Sequence, residues 1–148
     1  MIDSLTLYDR LAKEMADSPN QYELLGDIDM DLAIVMNRPD GSAFRLMLGF
    51  AGINCEKVAE VEAGDEANAD CWLVGDLEHF QAMFDNITAN GQATGEWTLN
   101  TLTLMDERIL LRASDPMGWD MFHRFNQTLQ EFFDGASSVL SSATSEES

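Results

Sequence analysis

The spacing of apolar residues between Asp27 and Phe50 constrains this chain more than any other feature. Ile28, Met30, Leu32, Ile34 and Met36 alternate with Asp27, Asp29, Asp31, Ala33 and Val35. A period of two is that of a strand, here with one wet face in its first half and two apolar faces afterwards. Arg38-Pro39-Asp40-Gly41 follows, a turn in which Pro sets φ and Gly permits φ above zero. The next run, Ala43 to Phe50, places Phe44, Leu46, Leu48 and Phe50 on one face. Together these segments specify a β-hairpin.

Before the hairpin, Leu5, Tyr8, Leu11, Ala12 and Met15 fall on one face at helical spacing, so residues 4–16 read as a helix capped by Ser4 and ended by Asp17-Ser18-Pro19-Asn20. After it, Cys55 to Ala63 reads as a third strand, with Cys55 or Val58 and Val61 inward. Gly64 to Asn68 reads as an acidic turn, and Ala69 to Val74 as a fourth strand. Asp76 caps a helix carrying Leu77, Phe80, Met83, Phe84 and Ile87 on one side, closed by Asn90-Gly91. Trp97 to Met105 alternates again and reads as a strand, which Asp106-Glu107 turns into a last strand from Arg108 to Arg112. Asp115-Pro116 opens a final helix whose face carries Trp119, Phe122, Phe125, Asn126, Leu129, Phe132 and Phe133, with Gly135 as its cap. This layout gives one α+β domain over residues 1–134 and a disordered Ser/Glu-rich tail over 135–148. There is no internal repeat and no inter-domain linker.

A chain of 148 residues is large enough for a core without covalent staples. Its two cysteines, Cys55 and Cys71, have no CxxC spacing and no nearby His, and read as free thiols. The formal charge is −19, with two Lys and six Arg. Such a surface repels phosphate backbones and anionic headgroups, which argues against nucleic acid and against tight docking to acidic membrane. The acidity serves solubility, or adaptation to high salt. No segment approaches the ~20 apolar residues of a membrane span. The first residues lack the basic-then-apolar pattern of a signal peptide, and the last four are no retention or peroxisomal address. The expected location is the cytoplasm.

Motifs for chemistry are scarce. Asp27, Asp29 and Asp31 lack the Gly and the distal Glu of a calcium loop, and strand alternation puts them on a solvated face. His79 and His123 have no partner at metal-ligand spacing, and a lone His among apolar neighbours is more often a packing residue than a general base. There is no GxSxG, no GxGxxG and no Walker pattern. The expectation is a protein that is not an enzyme and carries neither metal nor cofactor. What stands out is the supply of Met and aromatic side chains on helices. They either fill a core or wall a pocket that adapts to an apolar guest.

One stretch resembles a known family. Ala69-Asp70-Cys71-Trp72-Leu73-Val74-Gly75-Asp76, followed by Leu77-Glu78-His79-Phe80-Gln81-Ala82-Met83-Phe84, is similar to the sterol carrier protein type 2 family in its Ala-Asp step into an alternating strand and its acid-capped, bulky-faced helix. Thr94-Gly95-Glu96-Trp97-Thr98-Leu99 resembles the Gly-containing stretch that follows in the family, and element order agrees from about residue 5 to 133. The resemblance implies a five-stranded, mainly antiparallel sheet with helices packed on one face and a tunnel for sterols, fatty acids or acyl-CoA esters. The chain departs from the family in its strong acidity, in the hairpin-like reading of 99–112 where members tend toward a helix, and in its long aromatic last helix. The expected function is non-enzymatic binding of an apolar small molecule or lipid, without stable membrane insertion. The expected wall is Met83, Phe84, Ile87, Trp97, Leu102, Phe122 and Phe125. The alternative is an interaction module with a self-filled core, dimerising through an exposed aromatic edge of the C-terminal helix.

Overall fold

The computed structural model describes residues 2–104 and 108–140. The hairpin forms as its spacing requires. Strands β1 (Ile28–Asn37) and β2 (Ala43–Gly52) pair antiparallel from Ile28↔Gly52 to Asn37↔Ala43. In the turn Gly41 has φ of 92° and its N–H donates to the Arg38 carbonyl at 3.1 Å, while the Asp40 carboxylate accepts from Ser42. Asp29 and Asp31 are exposed while Ala33 and Val35 on the same face are buried, so the strand is wet on one face only at its start.

Strand β3 (Asn54–Glu60) adds antiparallel to β2, and β4 (Cys71–Asp76) adds to the other side of β1 in parallel. Strand β5 (Ile109–Arg112) completes a five-stranded mixed, mostly antiparallel sheet in the order β3-β2-β1-β4-β5. A parallel neighbour cannot be reached by a tight turn. The chain therefore crosses from β3 to β4 through a 3-10 turn (Asp65–Asn68) that lies against β1, β2 and β4. Ala33, Met47 and Ala69 form a small buried cluster on that side, with Val61 and Trp72 half-buried against it.

The opposite face of the sheet carries Met30, Leu32, Ile34, Met36, Phe44, Leu46, Leu48 and Phe50, all buried in the main core. The helices close over it: α1 (Leu5–Ala16), α2 (Pro19–Leu25), α3 (Leu77–Asn90), α4 (Leu99–Leu104), α5 (Pro116–Arg124) and α6 (Asn126–Asp134). Helix α3 ends at Gly91, whose φ of 83° places it in the left-handed region.

Several expectations change. Pro19 opens a helix rather than only ending one: at the first position of α2 its missing N–H costs nothing, and Tyr22 anchors the segment in the core. Over the described part of the stretch expected as a strand, residues 97–104, no strand forms. Gly95–Trp97 is a 3-10 turn and α4 follows, because burial of Leu99, Leu102 and Thr103 at spacings of three and four overrides the apparent alternation. The Thr103 hydroxyl donates to the Leu99 carbonyl at 2.8 Å inside that helix. The final helix is two helices, broken at Phe125 (φ −102°, ψ 12°). Gly135 does not cap it in the left-handed region; its φ is −56°, residues 136–140 are helical, and Ala136 and Val139 are buried. The expected disordered tail therefore does not begin at 135, and residues 141–148 lie outside the described residues. So do Met105 and the turn expected at Asp106-Glu107. The third strand ends at Glu60 instead of Ala63, and the fourth runs from Cys71 to Asp76.

The Ala69-Asp70 step has a structural explanation. The Asp70 N–H donates to the Asp31 carbonyl at 3.0 Å, and the Asp70 carboxylate accepts from the Asp31 N–H at 2.7 Å. This double clasp sets the register Leu32↔Cys71 from which the parallel pairing runs. Gly118 of α5 then packs onto the Asp70 carbonyl, where an added Cβ would lie 1.9 Å from that oxygen. No side-chain rotation relieves a clash with backbone. Gly118→Ala is accordingly expected to lower the urea midpoint by an amount equivalent to about 3 kcal/mol. A midpoint unchanged from wild type would show that α5 does not sit this close.

Candidate ligand-binding site

The helical layer is made of side chains set at three- and four-residue spacings along each helix. On α1 these are Leu7, Tyr8, Leu11 and Met15; on α3 Phe80, Met83, Phe84 and Ile87; on α6 Leu129, Phe132 and Phe133. Their rings form a connected path. Tyr8 stacks on Phe44 at 6.2 Å and meets Phe84 edge-on at 6.4 Å. Phe84 meets Phe133 at 6.0 Å, Phe133 meets Phe132 at 5.6 Å, and Phe132 meets Phe50 of the sheet at 5.2 Å. Edge-to-face contact at such distances is favourable for aromatic quadrupoles.

The structure gathers all seven expected wall residues at one core. Met83, Phe84, Ile87, Leu102 and Phe122 have no exposed surface. Trp97 and Phe125 are half-buried and pack against the same cluster. Trp97 is held from outside by the Arg108 guanidinium, 4.3 Å from its ring centroid, and Arg108 also donates to the Glu96 carbonyl at 3.3 Å. The expected wall did not include Tyr8, Phe44, Phe80 or the Phe132–Phe133 pair, although periodicity placed each on an apolar face of its helix or strand. The Tyr8 hydroxyl donates to the Met36 sulfur at 4.0 Å, and burial pushes the phenol well above its usual pKa.

Four surface clefts are bounded by other residues. One, of about 200 Å³, is polar and lies between Glu14, Tyr22, Gln92, Glu131, Asp134 and Ser138. Another, of about 350 Å³, is bounded by Asn37, Val74, Gly75, Asp76, His79, Arg108 and Leu110. The other two measure about 250 and 180 Å³. None of the seven wall residues borders these four.

The aromatic edge on which the alternative reading relied does not include Phe132 and Phe133. Phe132 and Phe133 are buried, because the break at Phe125 turns α6 onto the sheet and α3. On α5, Met117 and Trp119 are the exposed large apolar residues.

The two histidines fall outside this core. The His79 Nδ1 lies 3.1 Å from the Arg108 carbonyl oxygen, and its Nε2 lies 3.9 Å from the Glu78 carboxylate. With Asp76 these groups bring three potential ligand atoms within 4.8 Å of one another, so a divalent cation could be held there, at the surface. His123 is exposed, its ring edge-on to Phe122 at 5.7 Å. Cys55 and Cys71 are free thiols, and burial pushes both up to about 12, where a thiolate nucleophile is not available at neutral pH. Among the described residues, no helix is long and apolar enough to cross a membrane.

On α6, Gln130 and Asp134 form part of a polar stripe facing the segment that joins α3 to α4. Gln130 Oε1 accepts from the Leu99 N–H at 2.8 Å, and Asp134 Oδ1 accepts from the Ala93 N–H at 3.0 Å and from Gln130 at 3.0 Å.

This architecture is a sterol carrier protein 2-like fold. The chain matches a crystal structure of sterol carrier protein 2 with a TM-score of 0.70 and 16% identity, over 93% of this chain and 98% of that one. It matches the solution structure of a conserved hypothetical protein from Thermus thermophilus with a TM-score of 0.64 and 17% identity, over 90% and 86%. Sterol carrier protein 2 from Yarrowia lipolytica, in its apo form, matches with a TM-score of 0.50 and 13% identity, over 88% of each chain. No protein-family model and no curated protein sequence matches the chain.

Burial raises the Asp134 carboxyl above its usual value of 3.8, against the lowering effect of the Ala93 and Gln130 hydrogen bonds. The unfolded chain therefore releases this proton first. Stability falls as pH climbs past 3.8 and levels off once the folded carboxyl has also ionised. Asp134→Asn keeps an acceptor for Ala93 and removes the titration. It should match wild type below the carboxylate range and exceed it at pH 7 by no more than about 1 kcal/mol, given partial solvent screening. Urea titrations at pH 3.5 and pH 7 that show the same difference between the two proteins would refute this account.

Proposed function

We propose that this protein binds an apolar ligand, a fatty acid, sterol-like molecule or other lipid, between its sheet and its helices. The observation that carries the reading is the convergence of Met83, Phe84, Ile87, Trp97, Leu102, Phe122 and Phe125 from four separate stretches of chain onto one side of a sterol-carrier-like sheet. The likeness to sterol carrier structures over nearly the whole of both chains supports it.

The mechanism is burial of apolar surface, with few directional contacts and hence loose selectivity. A sixteen-carbon chain gains on the order of 11 kcal/mol at ~0.8 kcal/mol per buried methylene. Lost rigid-body freedom takes back at least ~4 kcal/mol, and a net of about −7 kcal/mol corresponds to an affinity of roughly 10 μM. Because five of the seven side chains are fully covered, a guest must also displace packed side chains, which lowers affinity further. Helix α4 is short, Trp97 just before it is only half-buried, and so is Phe125 at the α5–α6 break, so these covers open at the least cost in lost contacts.

The same burial favours a second reading, a self-filled core in a protein-interaction module that takes no ligand. The two readings separate in one measurement. Titration of a naturally fluorescent fatty acid, cis-parinaric acid, into delipidated protein should show saturable binding in the micromolar range, and Phe125→Ala should weaken it about tenfold through lost contact area. Absence of saturable binding, together with no added lipid mass in native mass spectra of freshly purified protein, would leave the interaction module as the better account.

A further inference from the structure

Among the described residues, two buried side-chain nitrogens lack a hydrogen-bond partner: Arg45 Nε, which lies 3.6 Å from the Glu66 carboxylate, and Asn126 Nδ2, which has no charged group set against it. Asn126 begins α6, and its side-chain nitrogen is shut off from water with no acceptor in reach. It is the first of a regular series. Asn126, Gln130 and Asp134 recur every four residues and so share one stripe of the helix. The second and third members are spoken for: Gln130 holds the Leu99 N–H and Asp134 holds the Ala93 N–H. Only the first is left over.

Its position is at the candidate site. Phe122 lies one turn before it, Leu129 one turn after, and both are fully buried in the core; the half-buried Phe125 is its neighbour in sequence. A side-chain amide offers two N–H donors, and leaving them dry and unpaired is destabilising. Native proteins rarely keep such a group without a reason. A leucine at this point, between Phe122 and Leu129, would serve packing better.

We propose that Asn126 is the polar anchor of the binding site, donating to an oxygen acceptor on the head of an otherwise apolar ligand. The ligand class is an oxygen-headed lipid, a carboxylic acid, ester or alcohol, with its head at the α5–α6 break and its tail running among Phe122, Leu102 and Met83. A neutral amide suits this role in a chain of formal charge −19, because it recognises the oxygen without requiring a cationic partner. This inference rests on the lipid-binding reading above and adds to it the orientation of the guest.

The test uses two fluorescent probes on the full-length protein. cis-Parinaric acid carries a carboxylate head, and diphenylhexatriene is a hydrocarbon without oxygen. Wild type should bind both. Asn126→Leu should bind the acid about tenfold more weakly, bind the hydrocarbon as before, and melt at the same or a higher temperature when ligand-free, since it removes an unpaired buried donor. If both probes bind wild type and Asn126→Leu retains full affinity for the acid, the anchor is refuted while the lipid-binding reading stands. If neither probe binds wild type, both fall together. Should the leucine variant fold poorly, wild type alone decides: the side-chain amide protons of Asn126 should shift in NMR spectra on addition of palmitate, and their remaining unmoved at saturation would overturn the proposal.

Discussion

The structure depends on the parallel docking of β4 beside β1. An antiparallel hairpin alone is at best marginally stable in water. Its central strand becomes interior only when β4 occupies the free edge, and the double hydrogen bond between Asp70 and Asp31 sets where that pairing begins. The same clasp places the Asp70 carbonyl where α5 can approach only through Gly118. It also delivers the chain from Asp76 directly into α3, which brings Phe80, Met83, Phe84 and Ile87 over the inner face of the sheet. Register, crossover and the seating of two helices thus follow from one junction.

Function in this fold would have to arise from the helical layer, since the sheet's inner face offers little besides hydrocarbon and rings. What the layer contributes is uneven. Near α1 and α6 the aromatic path from Tyr8 to Phe50 is continuous and closed. Around α4 the cover is a short helix, a 3-10 turn and two half-buried aromatics. Cooperative packing resists local opening where contacts are dense and yields where they are few. The helical layer is therefore thinnest on that side.

The resemblance at residues 69–84 and the architecture agree, and the reason is physical rather than statistical. The Ala-Asp step is a clasp of one backbone and one side-chain hydrogen bond, and the helix that follows Asp76, whose side chain makes no capping bond, is the next element to cover the sheet. Few residues are needed to specify that junction, so it stays legible where identity to similar folds is only 13–17%. The aromatic face of the last helix was legible as apolar, yet its direction was not. Periodicity reports which residues share a side of a helix and says nothing of what that side meets. The break at Phe125 decided that Phe132 and Phe133 would face the core instead of solvent or a second chain.

The sequence by itself determined the elements whose pattern is strong and local: the 28–50 hairpin, the helix from Leu77 to Asn90, the last short strand, and the absence of a cysteine framework. Each rests on a short-range period or a turn whose chemistry is set by adjacent residues. Tertiary structure alone decided that residues 99–104 are helical, that the C-terminal helix divides in two, that 136–140 stay ordered against α1 and the core, and that β4 runs parallel to β1. In each of these the local preference is weak or mixed, and the choice was settled by which arrangement buries Leu99, Leu102, Phe122 and Phe132 against side chains that lie far away along the chain.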